Sequence, residues 1–317
     1  MIRALLIKNT KEVQSLDRDA ALAWQPDQGL LWLHFDIKED ETKKWLLADK
    51  LLPEVVSAAL LASETRPRAN TIGDGVLLSL RGVNLNPGAN PVDMVSISLW
   101  IEANRIISTR RRRLLSVDDV VDSLDEHPLT GAGDMVVRLA DRLVRRTSDV
   151  IDRLDDHISN LEDHAAQQSD KLNRTELADL RRDAIALRRY LAPQREALTQ
   201  LHRGDFSWLA DADKLNLREV GDRLLLYLED LDAFRERASV LQAELASRLA
   251  EQLNKRMYVL SIVAAMFLPL GFLTGLLGIN LGGIPGAQSP FGFMIFSLLM
   301  LVIIGLQLWF FTKKSWF

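Results

Sequence analysis

MYVLSIVAAMFLPLGFLTGLLGINLGGIPGAQSPFGFMIFSLLMLVIIGLQLWFFT, residues 257–312, contains no Asp, Glu, Lys or Arg, although the 256 residues before it are densely charged. The stretch is interrupted by a run of turn formers, Gly278-Ile279-Asn280-Leu281-Gly282-Gly283-Ile284-Pro285-Gly286-Ala287-Gln288-Ser289-Pro290. Two apolar segments remain, Met257–Leu277 and Phe291–Thr312, of 21 and 22 residues. A helix rises ~1.5 Å per residue and a bilayer core is ~30 Å thick, so each segment is long enough to span once. The expectation is a membrane protein with a two-span hairpin, transmembrane over 257–277 and 291–312, joined by an outer loop over 278–290.

Lys255 and Arg256 precede the first span, Lys313 and Lys314 follow the second, and the loop is uncharged. Basic residues are retained on the cytoplasmic side, which predicts both ends of the hairpin there and a short basic tail over 313–317. Trp309, Phe310, Trp316 and Phe317 suit the inner interface. Met1–Lys8 is too short and too soon charged for a signal peptide, so the rest of the chain is expected to be cytoplasmic.

The chain has no cysteine, which excludes disulfides and thiolate metal sites. Lys313 and Lys314 are two of the 39 bases, leaving 37 against 43 acids, a net −6, for residues 1–256. An acidic body disfavours nucleic acid and suits cations near a pore mouth, although solubility alone accounts for it equally well.

Residues 1–145 read as an α/β domain. Leu30–Asp36, Val76–Leu80, Met94–Ile101 and Arg105–Thr109 are short β-branched or alternating runs bounded by turn residues, with Glu102-Ala103-Asn104 as a hairpin turn. Thr42–Ala62 and Val117–Leu124 carry helical periodicity. One sheet covered by helices is expected. Gly73-Asp74-Gly75 reads as a turn.

Residues 146–256 read as a helical region, the periodicity starting near Gly133. Val136, Leu139, Leu143, Val150, Leu154, Ile158 and Leu161 mark one helix. Leu177, Leu180, Ala184, Leu187 and Leu191 mark a second, which Pro193 should end or kink. Asp205–Asp211 reads as a linker. From about Asn216 a third helix carries a seven-residue pattern, Leu224, Leu231, Ala238 and Leu245 with Tyr227, Phe234 and Leu241. Such a repeat suits a bundled stalk of ~60 residues or ~90 Å, continuing into the first span.

Two helices cannot enclose a pathway, so transport would require several copies around an axis. The small residues Ala264, Ala265, Gly271, Gly275 and Gly278 permit close packing in the first span. A simple anchor reads the same periodicity equally well.

Asn254-Lys255-Arg256-Met257-Tyr258-Val259-Leu260-Ser261, followed by Phe267 through Gly278-Ile279-Asn280, resembles the CorA superfamily of divalent metal transporters. That family carries Gly-Met-Asn at the outer end of its first span after a Pro-Leu-x-Phe-x-x-Gly run; here Pro269 and Gly275 stand in register and Ile279 replaces the methionine. Magnesium-type members typically have an acid in the outer loop, and Leu281–Pro290 has none. The loop, Glu64-Thr65-Arg66-Pro67-Arg68 with Leu80-Arg81, and Arg188-Arg189-Tyr190-Leu191-Ala192-Pro193-Gln194-Arg195 resemble the zinc-transporting ZntB branch. The resemblance covers essentially the whole chain. It implies a homopentamer of the bacterial inner membrane, with membrane lipid, a divalent ion and its own copies as partners and no resident cofactor, moving Zn2+ by coupling to a proton gradient.

On that resemblance Gly278, Ile279 and Asn280 form the selectivity filter, with Asn280 meeting a hydrated ion through its amide carbonyl. Divalent ions lose water reluctantly, and neutral oxygens hold them with the shell in place. Both Gly278 and Asn280 also suit an ordinary helix C-cap. The family correspondence places Asn254, Met257, Leu260, Ala264, Leu268 and Gly271 along the pore, and their spacing independently puts them on one stripe. Where the family commonly has a threonine stands Gly271, with Thr274 one turn on.

Other residues read as structural. His157, Glu162, Asp163 and His164 suit zinc chemically, but the histidines lie two turns apart on one helix. Glu229, Asp230, Asp232 and Glu236 read as a salt-bridged surface with Arg235 and Arg237. Arg110-Arg111-Arg112-Arg113 lacks the interleaved aromatics of a nucleic-acid site and suits a salt-bridged edge or anionic lipid. His34 and His127 read as structural. No nucleophile–base pair or phosphate loop appears, so neither an enzyme nor an ATP-driven pump is expected. A magnesium, cobalt or nickel channel and a membrane-tethered scaffold or sensor are the competing readings.

Overall fold

The computed structural model describes residues 3–8, 12–48, 52–63, 65–167, 174–279, 284 and 289–313. The chain divides into two compact units, Met1–Gln242 and Ala243–Phe317.

The first unit is built on a seven-stranded sheet of β1 (Arg3–Ile7), β2 (Val13–Ser15), β3 (Leu30–Asp36), β4 (Arg68–Ile72), β5 (Gly75–Gly82), β6 (Val95–Ile101) and β7 (Arg105–Arg110). The spatial order is β2-β1-β3-β7-β6-β5-β4, and β3 with β7 is the parallel pair. Leu30 to Phe35 are all buried, as a central strand covered on both faces requires. The β6–β7 connection is the expected hairpin, closed by Glu102 N donating to Arg105 O at 2.8 Å. Gly73 turns β4 into β5 at φ +59°, a left-handed conformation that favours glycine.

Helices cover both faces. α1 (Arg18–Leu22), α2 (Asp40–Ala48) and α3 (Glu54–Leu61) enclose a core of Leu31, Leu33, Phe35, Leu46, Val56, Leu60, Leu77, Trp100 and Ile107. α4 (Leu115–Asp122) and α5 (Ala132–Ala166) meet the other face, where Leu114 and Leu143 press on Gly82. The periodicity expected to run from Thr42 to Ala62 is two helices, not one. Pro53 is the N-cap of α3; its ring and missing N–H keep a helix from passing through that point.

α6 (Arg174–Arg203) runs ten residues beyond Pro193 instead of ending there. Proline removes one hydrogen bond, and the turns around it are held by tertiary contacts: Leu191, Gln194, Ala197 and Leu198 are all buried. Arg81 is pinned in the same region. Its backbone N–H donates to Gln194 Oε1 at 2.7 Å, its Nε to Thr65 O at 2.9 Å and its Nη1 to Met94 O at 2.8 Å, and its guanidinium lies 4.0 Å from the Tyr190 ring centre.

The linker buries Trp208 and Leu209 and stacks Phe206 on Trp208 at 5.3 Å. α7 starts at Asp211, earlier than expected, and runs 68 residues to Gly278. Its heptad positions Leu224, Leu231, Phe234, Ala238 and Leu241 are buried. α8 (Gly292–Lys313) is the second apolar helix.

Candidate ion pathway

In the second unit α7 passes through residues 257–277 unbroken, including Pro269, and reaches Gly278, with a bend at Ile279. Asn280, the residue expected to meet the ion, lies outside the described residues, as do Leu281–Gly283 and Pro285–Gln288. Both apolar segments pass the length and hydropathy requirement for a span.

Asn254, Met257, Leu260, Ala264, Leu268, Gly271 and Thr274 are all exposed in the single chain. At 100° per residue they occupy one sector of about 160°. Ile262, which is buried, and Met266, Leu270 and Leu273, which are half-buried, fall nearly opposite. α8 has a matching stripe of half-buried Phe296, Met300, Ile303 and Gln307, ending in buried Phe311. The hairpin thus shields one side of each helix and leaves the expected lining side of α7 open.

Polar side chains along residues 257–277 of α7 are few, and those of Ser261 and Thr274 are committed to the backbone. Ser261 Oγ donates to Met257 O at 2.9 Å, and Thr274 Oγ1 sits 2.9 and 3.0 Å from the carbonyls of Leu270 and Gly271. With its proton so used, the Thr274 oxygen offers lone pairs outward, which suits a cation's water shell. Pro269 lacks an N–H, which deprives the Ala265 carbonyl of its i+4 donor and leaves a neutral acceptor in mid-span. Beside it Leu268, Pro269, Gly271 and Phe272 line an apolar hollow of ≈ 660 Å³ on the open side.

One residue escaped the sequence reading. Gln307 is an amide on the shielded side of α8 whose buried Oε1 has no hydrogen-bond partner. A lone amide among apolar residues at membrane depth is the signal that singles it out. At the basic ends Lys255 and Arg256 are exposed, and Lys313 Nζ lies 4.9 Å from the Trp309 ring centre.

The histidine and acid residues of the first unit do not converge. Among the described residues no three His, Cys, Asp or Glu side chains are grouped to hold a metal. Arg237 takes up the acids instead, with Nε 2.7 Å from Glu162 Oε1 and Nη1 2.8 Å from Asp155 Oδ1. Its Nη2 also meets Ser159 Oγ at 3.0 Å. Arg235 and Arg188 pair with Asp232 at 3.0 and 2.8 Å. Asp232 pairs with Arg235 on its own helix as expected and with Arg188 on α6 besides, whereas Arg237 turns to the α5 acids Asp155 and Glu162. Asp230 is pushed upward by burial and then by Asp155, Glu229 and Asp152.

The hydrogen bond from Arg237 holds the Glu162 carboxyl below its ordinary 4.5. A depressed carboxyl contributes stability that is complete above the unfolded value and fades as pH falls through the folded one. The melting difference between the full-length protein and Glu162→Gln is therefore expected to be flat from pH 7 to 5 and to shrink below 4.5. Both partners are about one-third exposed, so the effect is at most ~1 kcal/mol. A difference that grows on acidification would contradict this assignment.

Comparison with known proteins bears on the whole chain. Residues 27–314 match the family model described as CorA-like Mg2+ transporter protein. A protein named Zinc transport protein ZntB, from Pectobacterium carotovorum subsp. carotovorum (strain PC1), is 40% identical over 286 residues, covering 90% of this chain and 87% of that one. One named Divalent cation transporter CmaX, from Pseudomonas aeruginosa, is 41% identical over 304 residues, covering 94% and 90%. The solved structure of full-length CmaX superposes with a TM-score of 0.85 at 37% identity, covering 99% of this chain and 98% of that one. The α/β unit, the long helix and the two C-terminal apolar helices are accordingly those of this fold, and the chain belongs to the CorA-like family of membrane-embedded ion transporters.

Proposed function

We propose that the protein transports zinc across the bacterial inner membrane as a homopentamer, with both termini cytoplasmic and transport coupled to a proton gradient. The observation that carries the choice of ion is the 40% identity to a zinc transport protein over nine-tenths of the chain, joined to an outer loop, Leu281–Pro290, without a single acid. The pore reading, in preference to an anchor, is supported by the exposed sector from Asn254 to Thr274. A hairpin anchor shields α7 in the same way, so the preference rests on membership of a transporter family together with the small and polar positions on the open side.

In this reading the ion enters hydrated at Gly278-Ile279-Asn280, where the amide of Asn280 and carbonyls at the end of α7 accept hydrogen bonds from its water. A helix C-terminus carries ~0.5 of a negative charge, and the copies aim theirs at one point. Deeper in, Thr274 and the free Ala265 carbonyl supply neutral oxygens. Met257, Leu260 and Leu268 form apolar rings able to close the path by expelling water. A wider divalent specificity is the second reading, favoured by the 41% identity to a divalent cation transporter.

Protein purified into liposomes with zinc- and magnesium-sensitive dyes tests both. Zinc influx is expected, rising with an inward proton gradient. Magnesium flux indifferent to the gradient would favour the second reading, and no flux of either ion would sink both.

A further inference from the structure

From Met257 to Leu268 the open sector of α7 carries Met257, Leu260, Ala264 and Leu268, an apolar sleeve that rises ~16 Å at 1.5 Å per residue. A constriction that long with no polar atom in it sheds its water and bars a hydrated ion. Residues 257–277 hold three polar side chains, Tyr258, Ser261 and Thr274. Thr274 lies beyond the sleeve. Counted at 100° per residue from Asn254, Ser261 falls at ~340°, between Met257 at ~300° and Asn254 itself, whereas Tyr258 falls at ~40°, past the edge of the sector.

Ser261 is exposed in the single chain, although the next residue, Ile262, is buried. Its Oγ donates to Met257 O at 2.9 Å, which uses the hydroxyl proton inside the helix and leaves the lone pairs of the oxygen to accept. Thr274 is held in the same manner, against the carbonyls of Leu270 and Gly271. Along the helix axis Ser261 stands ~6 Å from Met257 and ~10 Å from Leu268, so it divides the sleeve into two shorter apolar stretches.

We propose that Ser261 is a further lining residue, a role that rests on the pathway reading above: its oxygen accepts a hydrogen bond from the water shell of the passing divalent cation inside the apolar gate. Divalent cations part with water reluctantly, so an acceptor for the shell suits them better in a dry stretch than a ligand that demands dehydration. A neutral hydroxyl does this without trapping the ion as a carboxylate would, and a serine is small enough to leave the path open. In a symmetric ring every copy sets one such oxygen at the same height. The rival place for the same side chain is against the helix of an adjacent copy, where serine also permits close packing.

The chain contains no cysteine, so Ser261→Cys gives each subunit a single thiol. Proteoliposomes are treated with a cationic, water-soluble methanethiosulfonate in the presence of zinc, and both the modified fraction, by mass, and the zinc flux are measured. Ser261→Cys is expected to be modified and to lose flux at least tenfold, as is Leu260→Cys, while Met266→Cys on the shielded side stays unmodified. Without reagent, Ser261→Ala should lower zinc flux at least about threefold, the contribution of one neutral hydrogen bond. Ser261→Thr, which keeps the hydroxyl, should recover most of that loss, and Ser261→Val, which has the same shape without it, should not. Modified Leu260→Cys beside protected Ser261→Cys would seat Ser261 against a neighbouring helix and overturn this role alone. Protection of both would overturn the pathway reading and this role with it. Wild-type flux in Ser261→Ala would remove the hydroxyl from the path of the ion even if the thiol is reached.

Discussion

Asn280→Ala is expected to lower zinc flux into liposomes by more than tenfold while leaving the oligomer intact on size-exclusion chromatography. One amide accepting from a hydrated ion contributes about 0.5–1.5 kcal/mol, so its loss from every subunit of a ring sums to several. A factor of ten in rate or affinity is only about 1.4 kcal/mol. The competing role is a helix cap, because Gly278 ends α7 and Ile279 bends the chain there. Glycine separates the two roles. It is at least as good as asparagine where a helix terminates but carries no amide. If Asn280 selects the ion, Asn280→Gly is as defective as Asn280→Ala. Wild-type flux in Asn280→Gly would make the residue a cap and remove it from the filter.

Much of this molecule can be read without coordinates, and the failures have physical causes. β3, β6 and β7 are recognisable because they are buried in the sheet and keep long β-branched or apolar runs. β1, β2 and β4 escape notice: β2 has three residues, and β4, Arg68-Ala69-Asn70-Thr71-Ile72, is a largely exposed edge with little apolar patterning. Pro53 and Pro193 look alike on paper, yet one precedes a helix and the other sits within one. The difference is made by what packs around them, since Gln194 is tied to the backbone of Arg81, which lies 113 residues earlier in the chain. Along the spans hydropathy identifies the helices but cannot distinguish their sides, because every side is apolar. The lining sector came from spacing and family likeness, whereas the shielded sector from Ile262 to Leu273 required the hairpin.

The largest loss of stability is expected from Arg81→Leu, about 3–5 kcal/mol in denaturant unfolding of the full-length protein followed by tryptophan fluorescence. Arg81 is 9% exposed, and its guanidinium joins the segment at Thr65, the approach to β6 at Met94 and the α6 residue Tyr190. Each hydrogen bond from a charged donor contributes about 1.5–3 kcal/mol, and the stacked ring adds about 0.5–2. Against this stands the desolvation of a buried cation, which leucine avoids, so the net lies below the sum. Lysine keeps the charge but not the planar fork, and Arg81→Lys should recover less than half of the loss. Gln194→Leu strands the Arg81 backbone N–H and should cost about 1–3 kcal/mol by itself. Because both changes act on one residue and one helix face, the double variant should lose less than the two singles together. An Arg81→Leu protein within 1 kcal/mol of wild type would show that this junction is held by apolar packing alone, with the guanidinium incidental to it.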